Sequence, residues 1–185
     1  MEEKIEYNDY TIEIRHDEWC DSPTDWGNYE IKEFRTSDER DEFVDDDIEL
    51  AKQLVAGTTL WLDKYEHSGV SFSLSGEGMQ CRWDTSSRCA LLIMSEDYAL
   101  NADSTPESLR ELARSSIGEY NQWLDGDVYR YVIYDGDGEE IDNLSGIYGY
   151  GYALDEAKGC IDCEQARPLS ERRYKAAANA QSLHN

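Results

Sequence analysis

Basic residues are scarce in this chain, and long apolar runs are absent from it. Its 185 residues include 17 Lys and Arg against 41 Asp and Glu, so the formal net charge is −24 at pH 7. A surface this negative repels phosphate groups, which argues against direct binding to DNA, RNA or anionic lipid. No run of 18 apolar residues occurs, so we expect no transmembrane span and no membrane partner.

Cysteines and signal-like segments are also poorly represented. The five cysteines, at positions 20, 81, 89, 160 and 163, are too few and odd in number for a disulfide framework. The first ten residues, MEEKIEYNDY, lack the apolar stretch of a secretory signal. These absences predict a soluble protein of a reducing compartment, the cytoplasm.

Enough apolar residues are present to build a core. Hydrophobic residues make up 39% of the chain and aromatic residues 11%, which is more than a disordered acidic chain contains. We expect one domain over residues 1–165, followed by a weakly basic tail, 166–185, that is a peripheral helix or disordered. The predicted fold class is α+β, a mostly antiparallel sheet with two main helices.

Hydrophobic periodicity places the elements of this fold. A first helix is predicted from Thr36 to Val55, with Thr36 and Glu39 as a capping box and Gly57 as its end. A second helix is predicted after Thr105 and ends at Leu124. Strands are predicted at 5–14, 29–34, 58–65, 70–74, 89–95, 128–134, 139–144 and 147–153.

The first helix carries the densest charge of the chain. Residues 38–49 read DERDEFVDDDIE. Its eight acids are Asp38, Glu39, Asp41, Glu42, Asp45, Asp46, Asp47 and Glu49. On one straight helix they would span roughly 16 Å, about one charge per 2 Å, close to the charge spacing of duplex DNA. Like charges at i,i+4 destabilise a helix, so a function as a phosphate surrogate would account for retaining them.

Two alternatives to a phosphate surrogate stay open. An acid-rich surface also suits a halophilic protein, or a domain that needs only solubility and has no partner related to nucleic acid. The second alternative is a small metal-dependent enzyme that uses the CxxC pair Cys160 and Cys163. A structural zinc site needs four ligands, and a second CxxC is absent from the sequence, so we expect no metal and no other cofactor.

No catalytic signature is convincing. Cys20 or Cys81 could be paired with His16 or His67 as nucleophile and base, but five cysteines and three histidines always offer such a pair. We therefore expect a protein that is not an enzyme.

Four short motifs follow one another along the chain: EHSGV at 66–70, CRWD at 81–84, GDVYRY at 126–131 and GIYG at 146–149. As a set they resemble a family of small acidic proteins carried by bacteriophages and other mobile elements. The chain departs from that pattern at 85–87, where TSS replaces the usual glycine. His67, Trp83, Asp84 and Gly149, which lie within these motifs, are expected to support the fold more than to touch a target.

The resemblance implies a role similar to that of DNA mimics that inhibit host defence. The expected function is inhibition of a restriction enzyme or a CRISPR effector, with the eight acids of 38–49 occupying the basic nucleic-acid groove of that partner. A homodimer, in which two acidic faces join, is a further expectation.

Overall fold

A computed structural model of the chain describes residues 2–45, 47–103 and 105–166. In chain order its elements are β1 (Glu2–Tyr7), β2 (Tyr10–His16), a short 3-10 helix (Pro23–Trp26), β3 (Tyr29–Glu33), α1 (Ser37–Val44), α2 (Ile48–Ala56), β4 (Thr59–Glu66), β5 (Val70–Leu74), β6 (Thr85–Met94), α3 (Glu96–Ala99), α4 (Pro106–Leu124), β7 (Val128–Tyr134), β8 (Glu140–Tyr148) and α5 (Tyr150–Ala166). The predicted α+β class is confirmed, because the strands form two antiparallel four-stranded sheets beside these helices.

Backbone contacts divide the chain into two compact units. The first takes its described residues from 1–20 and 126–185, and the second is 21–125. The prediction of one domain over 1–165 stays a prediction, and residues 167–185 of the predicted tail lie outside the described residues. None of the described helices is long and apolar enough to cross a membrane.

The first unit is a four-stranded sheet with one helix packed on it. Its strands are antiparallel in the order β1-β2-β7-β8. Alternate residues of β2 and β7 point to one face, where Ile12, Ile14 and Ile133 are buried. Ala157 and Ile161 of α5 are buried in the same cluster. The other face of β2 and β7 carries Thr11, Glu13, Arg15 and Arg130 together with the buried Val128 and Val132.

Two predictions for the first unit are wrong. The strand predicted over 5–14 is a hairpin, because Asn8 and Asp9 adopt φ of 51° and 66° and turn the chain between β1 and β2. The strand predicted over 147–153 ends at Tyr148. Gly149 has φ of 85°, and α5 begins at the next residue, so Tyr150 and Tyr152 lie on a helix.

The second unit is a sheet covered by helices on both faces. Its strand order is β3-β6-β4-β5. Ala90 and Leu92 of β6 face α4, where they are buried with Leu109 and Ile117. Leu91, on the other face, is buried in a smaller cluster with Phe34 of the loop after β3 and Leu50 of α2.

Most predicted elements of the second unit are confirmed. The α4 helix begins as expected, since the Thr105 side chain accepts a hydrogen bond from the Ser108 N–H and Pro106 occupies the first turn. Strands β3, β4 and β5 lie within a residue of their predicted bounds, and β6 begins at Thr85, earlier than predicted. The helix predicted over 36–55 is wrong as a single element, because it is two helices, α1 and α2.

Candidate functional site

The acidic segment 38–49 contains a break between its two helices. Asp45 ends α1 with ψ of 134°, and Asp47 precedes α2 with ψ of 92°, both extended. The Asp47 carboxylate accepts hydrogen bonds from the N–H groups of Glu49 (3.0 Å) and Leu50 (2.9 Å), so it caps the second helix. The straight 16 Å array expected from the sequence is therefore absent, and Asp46 lies outside the described residues.

Four of the predicted acids have identifiable structural partners. The Glu39 N–H donates to the Thr36 hydroxyl (3.1 Å), which confirms Thr36 as the cap. The Glu39 carboxylate accepts from the Arg35 N–H (2.9 Å) and not from the Thr36 N–H, so the reciprocal half of the predicted capping box is wrong. Asp47 caps α2. Asp41 pairs with Arg40 at 2.7 Å, and Glu49 pairs with Lys52 at 3.0 Å. Exposed ion pairs of this kind contribute little to stability. The side chains of Asp41 and Glu49 remain 58% and 69% exposed within their pairs, so both carboxylates stay accessible.

Asp38, Glu42 and Asp45 form a separate group, which we call the acidic stripe. All three are exposed, and none of their carboxylates has a hydrogen-bond or ion-pair partner among the described residues. Their spacing of four and then three residues places them on one face of α1. Asp45 is the last residue to make the helical hydrogen bond, since its N–H donates to the Asp41 carbonyl at 2.8 Å, and the chain leaves the helix after it. The structure thus aligns three unpaired carboxylates along one helix.

The helix that carries the acidic stripe is attached through few apolar contacts. It has no buried residue of its own. Its contacts to the unit come through Val44, which packs against the cluster around Phe34, and through Phe43, whose ring lies 5.3 Å from that of Phe34. The Lys32 ammonium lies 5.6 Å from the centre of the Phe43 ring. The remainder of α1 faces solvent, so its charged side chains are accessible to a partner.

The CxxC pair lies on α5, at the edge of a cleft of about 330 Å³ in the first unit. Cys160 and Cys163 line this cleft with the carboxylates of Asp142, Glu156 and Glu164. Among the described residues, no three Cys, His, Asp or Glu side chains lie close enough to hold a metal ion. The Cys160 sulfur instead contacts the hydroxyl of buried Tyr131 at 3.3 Å.

One of the Cys–His combinations that the sequence offers, Cys81 with His67, is bridged by a carboxylate in the structure. Asp84 accepts a hydrogen bond from the Cys81 thiol at 3.2 Å and lies 3.4 Å from His67 Nδ1. A nucleophile and its base must contact each other directly, whereas here a carboxylate lies between cysteine and histidine. These residues form a local network that joins the turn before β5 to the loop before β6.

The four sequence motifs form two pairs in the structure. The first and second are joined where the Glu66 N–H donates to the Asp84 carbonyl at 2.8 Å. The third and fourth are joined where Val128 pairs with Tyr148 and the Gly149 N–H donates to the Asp127 carbonyl. Trp83 is 83% exposed, so it adds little to a core. Both pairings explain the motifs by their place in the fold.

Sequence reasoning did not find the ion cluster that holds the loop between β5 and β6. Glu77 in that loop is bound by two arginines of α4: Arg110, and Arg114, whose Nε lies 2.9 Å away. The Arg114 guanidinium, helped by Arg110, lowers the pKa of Glu77 from its ordinary 4.5 to about 2. The spacing of the two arginines on one helix face was the only signal in the sequence.

We expect Glu77→Gln to lower the free energy of unfolding at pH 7 by about 0.5–1 kcal/mol, the range for a partly exposed ion pair. Because the folded-state pKa is depressed, the stabilisation is full above about pH 4.5 and is lost as the pH falls toward 2. Urea unfolding of wild type and Glu77→Gln at several pH values measures this difference in stability. Glu111→Gln, an exposed acid on the same helix, is the control, and an equal loss in both variants at pH 7 would contradict the assignment.

No protein family, curated protein or solved structure was found to match this chain. Its candidate site is therefore defined by geometry and charge alone.

Proposed function

We propose that this protein inhibits a host nucleic-acid-binding defence protein, a CRISPR effector or a restriction enzyme, by occupying its basic groove. The observation that carries the proposal is the acidic stripe of Asp38, Glu42 and Asp45, which is exposed, has no partner in the part of the chain that the structure describes, and lies on a helix that buries no residue. A site that holds phosphates offers the complementary surface, a row of Lys and Arg whose affinity is mainly electrostatic.

The spacing of the charges lies within the range of nucleic acids. Asp38, Glu39, Asp41, Glu42 and Asp45 lie along roughly 10 Å of helix axis at about 1.5 Å per residue. That is one carboxylate per about 2.6 Å, between the about 1.7 Å per charge of duplex DNA and the about 3.4 Å between phosphates along one strand. The break after Asp45 redirects the chain, so Asp47 and Glu49 extend the charge along a bent path.

The lack of structural benefit also supports a binding role. Asp38 and Glu42 are like charges at i,i+4, which costs about 0.2–0.5 kcal/mol in a helix. Only Asp38 of the stripe lies in the first turn, where the helix dipole favours an acid. Glu42 and Asp45 make no ion pair with any described residue that would offset their mutual repulsion. Their exposure fits association with a cationic surface, and such charges also speed encounter at low salt.

The test compares two variants that change net charge equally. The stripe variant is Asp38→Asn/Glu42→Gln/Asp45→Asn, and the matched control, Glu30→Gln/Asp103→Asn/Glu111→Gln, neutralises exposed acids elsewhere in the same unit. Each tagged protein is used to capture partners from lysates of bacteria that carry restriction and CRISPR systems. The captured complexes are then washed with buffers of rising salt concentration. Captured nucleases are then purified and tested for binding to labelled nucleic acid in the presence of each variant.

We expect wild type and control to release bound nucleic acid from the captured nuclease, and the stripe variant to do so at least about tenfold less well, because three charge pairs are lost. Binding should also weaken steeply between 50 and 200 mM salt. Equal activity of the stripe variant, or salt-insensitive binding, overturns the proposal. Capture of no nuclease, together with unfolding at low salt, would favour the halophilic alternative.

A further inference from the structure

Two arginines lie side by side on the face of the first unit's sheet that is turned away from α5. Arg15 of β2 and Arg130 of β7 are directly opposite each other in the antiparallel register. Their neighbours Ile14 and Tyr131 point to the α5 face, so both arginines point to the other face. Like charges directly opposite across two strands are destabilising. This pair is conspicuous in a chain with few basic residues.

Neither guanidinium is satisfied. Among the described residues, the side chains of Arg15 and Arg130 make no hydrogen bond and no ion pair, and the Nε atom of each is buried without a partner. Glu2 is the register partner of Arg15 across β1 and β2, yet its carboxylate is not within ion-pairing distance. A buried donor without an acceptor destabilises the fold, and more so when the donor is charged. One oxyanion placed between the two guanidiniums would supply an acceptor to both.

The arginines border a cleft of about 340 Å³. Its remaining lining consists of Glu2, His16, Asp17, Glu18 and Trp19. Asp17 is occupied, because its carboxylate accepts from the N–H groups of Trp19 (3.3 Å) and Gly146 (3.0 Å). His16 is also engaged, with Nδ1 3.1 Å from the Gly126 carbonyl and its ring on Tyr129. Glu2 and Glu18 are the remaining acids that face the arginines.

The indole of Trp19 lies beside this cleft, and hydrogen bonds restrain the backbone that carries it. Trp19 is 90% exposed. Its backbone is held by Asp17, whose own N–H donates to the Val128 carbonyl at 2.8 Å. An exposed indole on a restrained backbone offers a flat face on which a planar ring can stack.

The geometry points to a binding site for a small ligand that carries one phosphate group and a planar ring, the class of nucleoside monophosphates. The Arg15 and Arg130 guanidiniums would share the phosphate oxygens, since their fork geometry suits bidentate contact with an oxyanion. Trp19 would stack on the ring. Glu2 and Glu18 would repel further phosphates, so the site takes one phosphate and excludes a nucleic-acid backbone. This site shares no residue with the acidic stripe, so the outcome of one test does not decide the other proposal.

Calorimetric titration with adenosine 5′-monophosphate, inorganic phosphate and adenosine tests this site. Ionic strength is kept constant with sodium chloride, because screening alone stabilises so acidic a protein. We expect one monophosphate per chain, phosphate binding at least about fivefold more weakly for lack of stacking, and adenosine more weakly still. Phosphate binding as tightly as the nucleotide would overturn the role of Trp19. Heat that matches sodium chloride alone would overturn the site.

Variants then assign the binding to the arginines. Arg15→Met and Arg130→Met should each weaken nucleotide binding about tenfold to a hundredfold, and Arg35→Met, an exposed arginine of the other unit, should leave it unchanged. Because the unpaired guanidiniums serve the ligand, both variants should unfold no earlier than wild type in nucleotide-free buffer. Earlier unfolding with unchanged affinity would make the arginines structural and overturn the proposal.

A gain-of-function variant covers the case in which an arginine variant fails to fold. Glu2→Gln removes one repulsive carboxylate from an exposed strand end without touching the core. We expect it to tighten monophosphate binding severalfold. Unchanged or weaker binding by Glu2→Gln would contradict a phosphate in this cleft.

Discussion

Replacing Asp63 with Ala is expected to lower the free energy of unfolding by about 3 kcal/mol or more, because several donors lose a charged acceptor together. Asp63 is 2% exposed, the lowest exposure of any acid among the described residues. Its Oδ2 accepts from the Gly76 N–H (2.8 Å) and the Gln80 side chain (3.2 Å), and its Oδ1 accepts from the Arg88 N–H (2.9 Å).

The position of Asp63 in the sheet explains why these donors need it. The pairing of β4 with β6 shifts register between Leu62 and Lys64, so the ladder is interrupted beside this residue. Such irregularities leave a backbone group unpaired, and the carboxylate accepts from the Arg88 N–H opposite the shift. The same carboxylate holds the loop that follows β5 through Gly76. One side chain therefore completes the sheet and fixes the loop.

The pH dependence distinguishes this account from a simple packing defect. Burial alone would raise the pKa of Asp63, but the hydrogen bonds from Arg88, Gly76, Ser75 and Gln80 outweigh it and hold the pKa below its ordinary 3.8. The stabilisation is therefore full above about pH 3.8 and is lost as the pH falls below it. Urea unfolding of wild type and Asp63→Ala should show a gap that narrows in acid.

Asp63→Asn serves as the control of matched shape. It keeps one oxygen acceptor but turns an NH₂ group toward a donor, so it should fall between wild type and Asp63→Ala. A gap that stays constant down to pH 2.5, or an Asn variant as stable as wild type, would contradict the charged role of Asp63.

The helices and strands that sequence patterns located well are those with strong local signals. The α4 helix has a capping threonine, a proline in its first turn and apolar residues at helical spacing, and all three act in the structure. The β7–β8 hairpin has the turn sequence DGDG between the strands predicted at 128–134 and 139–144, and it forms there. In these elements local propensity and tertiary packing favour the same conformation.

The missed elements are those where local signals conflict. The apolar alternation from Ile5 to Ile14 changes phase between Tyr7 and Tyr10, and this shift marks the turn at Asn8 and Asp9. After Tyr148 the alternating Gly and Tyr imitate a strand, whereas Ala153, Ala157 and Ile161, four residues apart, mark the buried face of α5. The long-range packing of these small residues on the sheet decides the outcome.

The candidate sites were predictable to different degrees. The density of acids in 38–49 is visible in the sequence, but the break is not, because it depends on Asp47 leaving the helical course to cap α2. Which carboxylates stay unpaired also depends on Arg40 and Lys52 reaching their neighbours. The Arg15–Arg130 pair depends on the register between strands far apart in the chain, which periodicity alone does not specify.

Replacing Tyr131 with Ala is the counterpart of Asp63→Ala in the first unit, with an expected loss of about 3–5 kcal/mol for a large aromatic removed from a core. Tyr131 is 2% exposed and packs with Ile12, Ile14 and Ala157 between the sheet and α5. Its hydroxyl contacts the Cys160 sulfur at 3.3 Å. Burial, together with this contact, raises the pKa of the Tyr131 hydroxyl, so it remains protonated and uncharged at neutral pH.

Two milder variants separate packing from chemistry at this position. Tyr131→Phe keeps the ring and should cost about 1 kcal/mol, the value of one hydrogen bond, and Cys160→Ser should cost a similar amount. If Cys160 and Cys163 held a metal, chelator would destabilise wild type, and Cys160→Ser would abolish that effect. We expect chelator to leave the urea midpoint of wild type unchanged, because the Cys160 sulfur is engaged with Tyr131 and packs against the sheet. A chelator-sensitive midpoint would restore the interpretation of the CxxC pair as a metal site.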